Sequence, residues 1–523
     1  MTGPHTLDTV LDTLPHLYPG PGGAAAVLRD GVVLERRAWG FANAERRIPF
    51  TPATLFRMCS ITKQFACAAM LDLFPDPTVL DGDVAGRLPL LKGGPEGVAP
   101  GMLHLAHNQS GLRDYWAVAM LHGSPVEAPF GDVEARAVIG GTRTLQFVPG
   151  TRYSYVNQNF RLISDILEAR TGRGFGELLR ERVFGPAGMG SALVAADTRA
   201  MPDGTEGYEG SVGAGFRAAE NRIVWTGDAG LGASLDDMVA WERFIDATRD
   251  EPDSLYWRLA GPVAFADGSP APYGFGVGRR MERGRMVTAH GGALRGWRSH
   301  RLYVPGARVS VVVMFNHMAD AAAAASRLLA AAMGDEPLPP PEPAAAPGWL
   351  GVYREPETGL SARVEEAAAG WVRLRYGIVP EWLEMQGDGS AGVANGVRLV
   401  PAEGGLRMER PGENFSSVLF SAAAGTAVLD VAGRYRCAEL DAVLTVVDTA
   451  GVLYGGFSGF LGLGRMEMLV AVAPDLWALP CPRALDHTPP GDWTLAFERE
   501  QSRVVRVVVG CWLARGLVYE REG

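Results

Sequence analysis

The sequence predicts a multidomain α+β protein, in which an antiparallel sheet covered by helices is followed by two antiparallel β-barrel domains. Three observations support this fold class. Helical and strand patterns alternate over about the first 335 residues. Six prolines in the thirteen residues 335–347 then require an extended, semi-rigid linker. Beyond the linker, helical periodicity almost disappears and short strand patterns dominate.

The composition places the chain among globular proteins and excludes several functional classes. Its 523 residues are 47% hydrophobic and 21% charged, which suits about three domains. The net charge is −10 without an arginine-rich run, which argues against nucleic acid as a partner. No run of 18 apolar residues, signal-peptide pattern or cysteine framework is visible. We therefore expect a cytoplasmic protein with no membrane partner.

A first domain is predicted over residues 1–334, with a hairpin near each end. Asp30-Gly31 and Pro305-Gly306 are turn signals, and each separates two apolar, β-branched segments. The paired segments are 24–29 with 32–37, and 299–304 with 309–315. Hairpins at both ends with helices between them indicate an antiparallel sheet covered by helices.

Three helices of this domain can be placed from periodicity and capping residues. Segments 60–74 and 158–169 each carry apolar residues along one helical face. Segment 320–334 is rich in Ala and Leu, with Asp320 suited to an N-cap and Gly334 to the position after the last turn. This last helix is expected to close the domain.

Two similar β units are predicted after the linker, which we place at 335–348. The motif Gly351-Val-Tyr-Arg354 follows the linker, and Gly433-Arg-Tyr-Arg436 repeats it. Each motif opens a stretch of about 90 residues rich in short strands, as expected for small barrels. The predicted domains are 349–428 and 429–523.

The chain's two lysines direct the search for chemistry. Lys63 and Lys92 are the only lysines among 49 basic residues, and Lys63 lies three positions after Ser60. Residues i and i+3 share a helix face, so the Lys63 amine can reach the Ser60 hydroxyl. A buried lysine can lose its proton and act as the base that a serine nucleophile needs, which an arginine cannot.

Two further motifs follow in the same domain. Tyr155-Val-Asn157 stands just before a predicted helix, and a tyrosine beside a lysine can take part in proton transfer. His290-Gly-Gly292 stands at a strand end, where glycines allow a substrate backbone to approach and His290 could donate a hydrogen bond or move a proton. In isolation, each triplet is more typical of an ordinary turn.

The three motifs in this order resemble the penicillin-recognising serine hydrolases, a superfamily of class C β-lactamases, D,D-peptidases, esterases and D-stereospecific aminopeptidases. The matching elements are Ser-x-x-Lys at Ser60 and Lys63, Tyr-x-Asn at Tyr155 and Asn157, and His-x-Gly from His290. The resemblance covers residues 10–334 and implies a β-lactamase/transpeptidase-like first domain.

This resemblance implies a role for each matched residue. Ser60 would be the nucleophile, Lys63 and Tyr155 would share the roles of base and acid, and Asn157 would position the substrate. His290 stands where relatives carry a lysine, which weakens the preference for a substrate carboxylate.

Three further residues complete the predicted site. The backbone N–H groups of Ser60 and Ala293 would form the oxyanion hole. Gly292 would bind the substrate backbone, and Arg298 is a further candidate for substrate binding.

The two β units extend the resemblance to the D-aminopeptidase family, whose members carry two C-terminal barrels. In that family a loop of the last domain reaches into the catalytic cleft, and the matching segment here is 482–492. An aminopeptidase must bind an α-ammonium group, and a desolvated cation requires an anionic partner, for which Asp486 is the candidate. The alternative is a rigid surface turn in which Asp486 caps the backbone.

We therefore expect a serine hydrolase that releases an N-terminal D-amino acid, with D-Ala preferred and small residues or Gly tolerated, from a small peptide, amide or ester. No cofactor and no metal are predicted, and the family suggests a homodimer. An esterase, a D,D-peptidase or a β-lactamase using the same site is the near alternative. A non-catalytic ligand sensor acylated at Ser60 is the alternative of another class.

Overall fold

A computed structural model describes most of the chain. The described residues are 6–125, 127–336, 347–368, 370–393, 396–422, 425, 428–481 and 492–523. The strands form a central sheet, a closed barrel and a second large sheet, with three small sheets beside them. The predicted fold class is confirmed: an α+β domain is followed by a closed antiparallel barrel and by a second antiparallel sheet that forms a half-barrel.

The first domain is built around an eight-stranded antiparallel sheet. Across the sheet the strands run Tyr273–Gly274, Val277–Glu282, Arg285–Leu294, Trp297–Val304, Val309–Phe315, Gly22–Arg29, Val32–Asn43 and Ile48–Pro49. Both predicted hairpins are present, and Asp30 and Gly31 adopt the positive φ angles of 53° and 72° that a tight turn between twisted strands requires.

The central strands are apolar on both faces because helices cover both faces. Along Gly22–Arg29, Ala25 and Val27 face one hydrophobic cluster, whereas Ala24 and Ala26 face the other. This alternation follows the two-residue period of a strand. The smaller cluster is completed by the helices Leu7–Leu17 and Ala321–Met333.

The remaining α-helices lie on the opposite face or at the end of the sheet. They are Thr62–Leu73, Asp81–Arg87, Met102–Ala106, Tyr115–Leu121, Asp132–Gly140, Asn157–Thr171, Phe175–Leu179, Gly185–Ala187, Leu235–Thr248 and Leu255–Ala260. A π-turn spans Arg180–Phe184, and 3-10 turns span Cys59–Ile61, Pro77–Leu80, Pro95–Gly97, Pro305–Ala307, Pro411–Glu413 and Leu429–Val431.

The helix ends agree with the capping residues read from the sequence. Asp320 accepts hydrogen bonds from the backbone N–H groups of Ala322 and Ala323, and Gly334 closes the helix at a φ of 70°. The helix predicted from residue 60 begins as the 3-10 turn Cys59–Ile61 and continues as Thr62–Leu73.

Three small sheets complete the first domain. One has the order Phe56–Arg57, Leu231–Ala233 and Leu193–Val194. The others are the pairs Tyr208–Ser211 with Gly215–Ala218, and Val263–Ala264 with Pro270–Ala271. The first of these sheets leads the chain directly into the Cys59–Ile61 turn.

The first β unit is a closed antiparallel barrel. Its strands are Gly351–Arg354, Ser361–Glu366, Trp371–Arg375, Glu381–Met385, Ala391–Gly392, Arg398–Ala402, Gly405–Arg410 and Phe415–Ser421. Pairing of Tyr353 with Ser421 joins the last strand to the first. Val372 and Leu374 are buried in the barrel, and they alternate with less buried residues, as their spacing predicts.

The second β unit is a sheet whose two ends meet on neighbouring residues. Its strands are Gly433–Cys437, Ala442–Thr449, Val452–Gly459, Gly462–Leu463, Glu467–Met468, Val470–Ala473, Leu476–Leu479, Trp493–Glu500, Arg503–Cys511 and Ala514–Arg521. Glu467–Met468 pairs with Val452–Gly459, whereas Val470–Ala473 pairs with Leu476–Leu479. The segments on either side of Leu469 therefore pair with strands near opposite ends of the sheet, so the sheet curves until these two ends are adjacent.

The repeated Gly-x-Tyr-Arg motif has the same role in both β units. The Tyr353 hydroxyl donates to the carbonyl of Trp349, and the Tyr435 hydroxyl donates to that of Val431, at 2.6 Å in each case. Each tyrosine thus fastens the first strand of its unit to the residue four positions before it. The repeat therefore marks the start of each β unit.

Candidate active site

Ser60 lies in a sharp turn between a strand and a helix. Cys59 has a φ of 52°, in the left-handed region that non-glycine residues rarely occupy. Its thiol donates to the Arg57 carbonyl at 3.2 Å, and the Arg57 guanidinium is itself held by three backbone carbonyls. The turn leaves Ser60 half-buried while Cys59 and Ile61 are buried. The backbone at this turn thus directs Ser60 toward the cleft.

Lys63 is fully buried and lies within hydrogen-bond distance of the Ser60 hydroxyl. Its Nζ is 2.9 Å from Ser60 Oγ, 2.9 Å from Asn157 Oδ1 and 2.7 Å from the carbonyl oxygen of Asp228. It also stands 4.9 Å from the ring centre of Tyr155. The amine is therefore fixed beside Ser60 by two partners from other segments, which is the geometry of a nucleophile and its base.

Asn157 owes its orientation to Asp114. One carboxylate oxygen of Asp114 accepts from the backbone N–H of Asn157 at 2.7 Å and from its Nδ2 at 3.0 Å. With Nδ2 so engaged, Asn157 must turn Oδ1 toward Lys63. Burial raises the pKa of Asp114 to about 6, against the opposing effect of its hydrogen bonds and of the Lys63 charge.

Tyr155 and His290 both line the cleft, with their ring centres 6.4 Å apart. The Nε2 of His290 is 2.9 Å from the Tyr273 hydroxyl, and its Nδ1 is 2.6 Å from the Gly291 carbonyl oxygen. Burial, the Lys63 charge and the Arg301 charge lower the pKa of His290 to about 3. The imidazole is therefore neutral, and both of its nitrogens already have partners within the protein.

Gly292 allows the third-motif strand to approach the Ser60 turn. A Cβ at this position would lie 2.2 Å from the Met58 carbonyl oxygen and 2.2 Å from Ser299 Oγ. Its glycine therefore serves packing under the turn, in addition to any approach of substrate. The ladder between Val277–Glu282 and Arg285–Leu294 ends at Ala289, so the backbone from His290 to Ala293 presents an edge to the cleft.

The cleft is a cavity of about 560 Å³ that gathers the predicted residues. The predicted residues on its lining are Ser60, Tyr155, Asn157, His290, Gly292, Ala293 and Arg298. Arg298 donates through one nitrogen to the carbonyls of Leu294 and Trp297, at 2.9 and 2.8 Å. Asp486 lies outside the described residues. Cys481 and Asp492, on either side of its segment, line a second cavity together with Ile378, which also lines the cleft.

Both β units contribute residues to the cleft that sequence reasoning missed. Ile378 comes from the closed barrel, and Trp512 and Leu513 come from the turn between the last two strands. The carbonyl of Leu513 accepts from the backbone N–H of Asp114 at 3.0 Å. From the sequence, Trp512 could have been suspected because it is an aromatic residue at the tip of a hairpin. Nothing in the sequence marks Ile378 as a cleft residue.

Two further properties concern the described part of the chain. Within it, no group of three or more His, Cys, Asp or Glu side chains could hold a metal ion. No helix among the described residues is long and apolar enough to cross a membrane.

Comparisons with known proteins agree with this architecture. Residues 7–334 match the β-lactamase family, and residues 342–520 match D-aminopeptidase domain B. A D-aminopeptidase of Gluconobacter oxydans is 63% identical, with 98% of each chain covered. A D-aminopeptidase of Brucella canis is 44% identical, with 99% of this chain and 98% of the relative covered.

A solved structure shares the fold of a large part of this chain. It is the D-amino acid amidase of Ochrobactrum anthropi complexed with L-phenylalanine. It superimposes with a TM-score of 0.51 at 19% identity, over 62% of this chain and 98% of the amidase.

Proposed function

The chain belongs to the D-aminopeptidase family, and from this premise we propose that it acts through an ester formed on Ser60. It is a D-stereospecific aminopeptidase with a β-lactamase-family domain. The preferred product is D-Ala or another small D-residue, with Gly tolerated, released from peptides, amides or esters. The observation that carries the proposal is the 2.9 Å contact between Lys63 Nζ and Ser60 Oγ in the cleft.

Acylation begins at the Ser60 hydroxyl. Once Lys63 has released its own proton to solvent, the Ser60 oxygen attacks the substrate carbonyl carbon, and the serine proton passes to the Lys63 amine either directly or through the Tyr155 hydroxyl, which gives up its own proton as it takes the one from Ser60. The carbonyl oxygen becomes an oxyanion that accepts from the N–H groups of Ser60 and Ala293. The C–N or C–O bond then breaks, and the leaving group takes a proton from Lys63 or Tyr155. Water releases the acyl group by the same steps in reverse.

Asp486 is our candidate partner for the substrate α-ammonium. Two observations support it: the described residues at both ends of its segment lie near Ile378, and Ile378 lines the cleft. Asp486→Asn removes the charge at nearly constant shape, so KM for D-Ala-p-nitroanilide should rise at least tenfold with a smaller change in kcat. An unchanged KM would assign the ammonium to another group.

A comparison of four substrates tests the function itself. D-Ala-p-nitroanilide should be hydrolysed much faster than the L-anilide and than N-acetyl-D-Ala-p-nitroanilide, with Gly-p-nitroanilide intermediate. Equal rates on the acetylated substrate would show that the free ammonium is irrelevant and would favour an esterase or a D,D-peptidase. Ser60→Ala should abolish hydrolysis of all four. Hydrolysis by Ser60→Ala at the native rate would exclude the acyl-enzyme.

The homodimer and the cytoplasmic location stay predictions. Size-exclusion chromatography with light scattering tests the first, since a monomeric or higher mass would contradict it.

A further inference from the structure

His290 is more tightly held than its motif suggests. It is only 8% exposed and has one protein partner for each ring nitrogen. A carbonyl oxygen can only accept, so the contact with Gly291 O requires the proton on Nδ1. Nε2 then carries the lone pair, and the Tyr273 hydroxyl must donate to it.

The fold needs the ring of Tyr273 for packing but does not need its hydroxyl. The residue is 7% exposed, and its ring packs against the rings of Tyr153 and Phe160, at centre distances of 5.7 and 6.5 Å. A phenylalanine would fill the same space. The hydroxyl is directed at His290, and burial raises the pKa of Tyr273 well above its usual value, so it keeps its proton to donate.

The groups around His290 also oppose a positive charge on the ring. Lys63 faces it from the nucleophile helix, and Arg301 and His300 lie on the neighbouring strand. Tyr155 faces it across the cleft, and Tyr273 faces it from the edge strand Tyr273–Gly274, two strands away in the sheet. The cations Lys63 and Arg301 disfavour an imidazolium by like-charge repulsion.

We propose that Tyr273 is a positioning residue of the active site, which holds His290 in its neutral Nδ1–H tautomer and thereby fixes the Gly291 carbonyl at the strand edge beside Ser60. Gly291 is two residues from Ala293, whose N–H serves the oxyanion in the proposed mechanism. His290 therefore stabilises the strand edge and, because its ring is neutral, offers no cation to a substrate carboxylate. The catalytic part of this inference rests on the proposed function.

The tautomer can be tested without any assumption about the substrate. We would label the nine histidines of the full-length protein with ¹⁵N and assign His290 by its loss in His290→Gln. The native protein should show the Nδ1–H pattern for His290, with no titration between about pH 5 and pH 9. An Nε2–H pattern, or titration in that range, would overturn the proposal whatever the enzyme hydrolyses.

Tyr273→Phe tests the positioning role. Loss of the donor should leave Nε2 without a partner and allow the Nε2–H tautomer to be populated, and it should lower kcat roughly tenfold, with a smaller effect on KM. The native tautomer and kcat retained in Tyr273→Phe would overturn the proposal.

Tyr256→Phe is the matched control, because the Tyr256 hydroxyl is equally buried and bonds to Thr288, two residues before His290 on the same strand. It should leave the His290 signals unchanged. If it shifted them as Tyr273→Phe does, the effect would be a general response of the sheet and the proposal would fail.

Discussion

At the scale of single residues, Lys63 shows what a lysine can do in the proposed mechanism that an arginine cannot. Arginine makes up 47 of the chain's 49 basic residues, but an arginine cannot give up its proton at the position of Lys63. The amine is buried, and its three neighbours come from the nucleophile turn, the Asn157 motif and the Asp228 carbonyl. These contacts give Lys63 a physical reason to remain a lysine.

Lys63→Arg should therefore lower kcat by about a thousandfold or more, since charge is kept while the base is lost. Steady-state kinetics on D-Ala-p-nitroanilide would measure the effect. Lys92 is the matched control because it is the other lysine of the chain and is exposed, so Lys92→Arg should be silent. Activity retained in Lys63→Arg would show that another group takes the Ser60 proton.

Asp114 links pH to the orientation of Asn157. Because burial raises its pKa to about 6, Asp114 gains a proton as the pH falls through 6 and accepts more weakly from Asn157. We expect kcat/KM to fall below about pH 6 for this reason. Asp114→Asn should flatten the profile between about pH 5 and pH 7 and lower the plateau by about tenfold. Asp246→Asn, at a buried carboxylate paired with Arg308, should keep the native profile. An acid limb unchanged in Asp114→Asn would contradict the assignment.

At the scale of elements, the site depends on how closely a strand can approach the Ser60 turn. Ser299 Oγ donates to the Met58 carbonyl at 3.0 Å, so the strands Arg285–Leu294 and Trp297–Val304 meet the turn directly. From the sequence, Gly292 was expected to let the substrate backbone approach the strand. The structure adds the reason that the third-motif strand and the turn would collide at any other residue.

Gly292→Ala should accordingly damage the site more than a single methyl group suggests. Its Cβ would lie 2.2 Å from a backbone carbonyl oxygen that cannot move away as a flexible side chain would. We expect a loss of stability of about 1–3 kcal/mol and a fall in kcat of at least tenfold. Gly306→Ala is the control, since a Cβ there meets no atom within 4 Å. Thermal unfolding and kinetics would measure both, and a native-like Gly292→Ala would refute the close approach.

At the scale of the whole molecule, the two β units and the catalytic domain share one buried ionic centre. Glu413 accepts from Arg410 at 2.6 Å and from the indole N–H of Trp512 at 3.0 Å. Its carbonyl accepts from the backbone N–H of Tyr153, two residues before Tyr155. This centre therefore joins the closed barrel, the last hairpin and the segment that carries Tyr155.

Glu413→Ala should lower the free energy of unfolding by about 3 kcal/mol, because it leaves Arg410 short of a partner in a buried setting. It should also reduce kcat through the loop that carries Tyr155. Glu357→Ala is the control at the same boundary, since Glu357 pairs with Arg152 but is 55% exposed, and a surface pair contributes less than about 1 kcal/mol. Equal effects of the two variants would show that the buried centre has no special role.

Which features can be predicted from the sequence depends on how far apart along the chain the contacting residues are. The sequence by itself determined the three-part layout, both hairpins of the first domain and the pairing of Ser60 with Lys63. Turn residues, strand alternation and i, i+3 spacing on a helix act over a few residues, so they can be read along the chain.

Only the tertiary structure decided the state of His290, the orientation of Asn157 by Asp114 and the part that Ile378 and Trp512 take in the cleft. Each depends on segments that are distant in sequence and meet by packing, as when Leu513 accepts from Asp114. The proton on a buried imidazole is set by the acceptor and donor that face it, and no local pattern records which residues those will be.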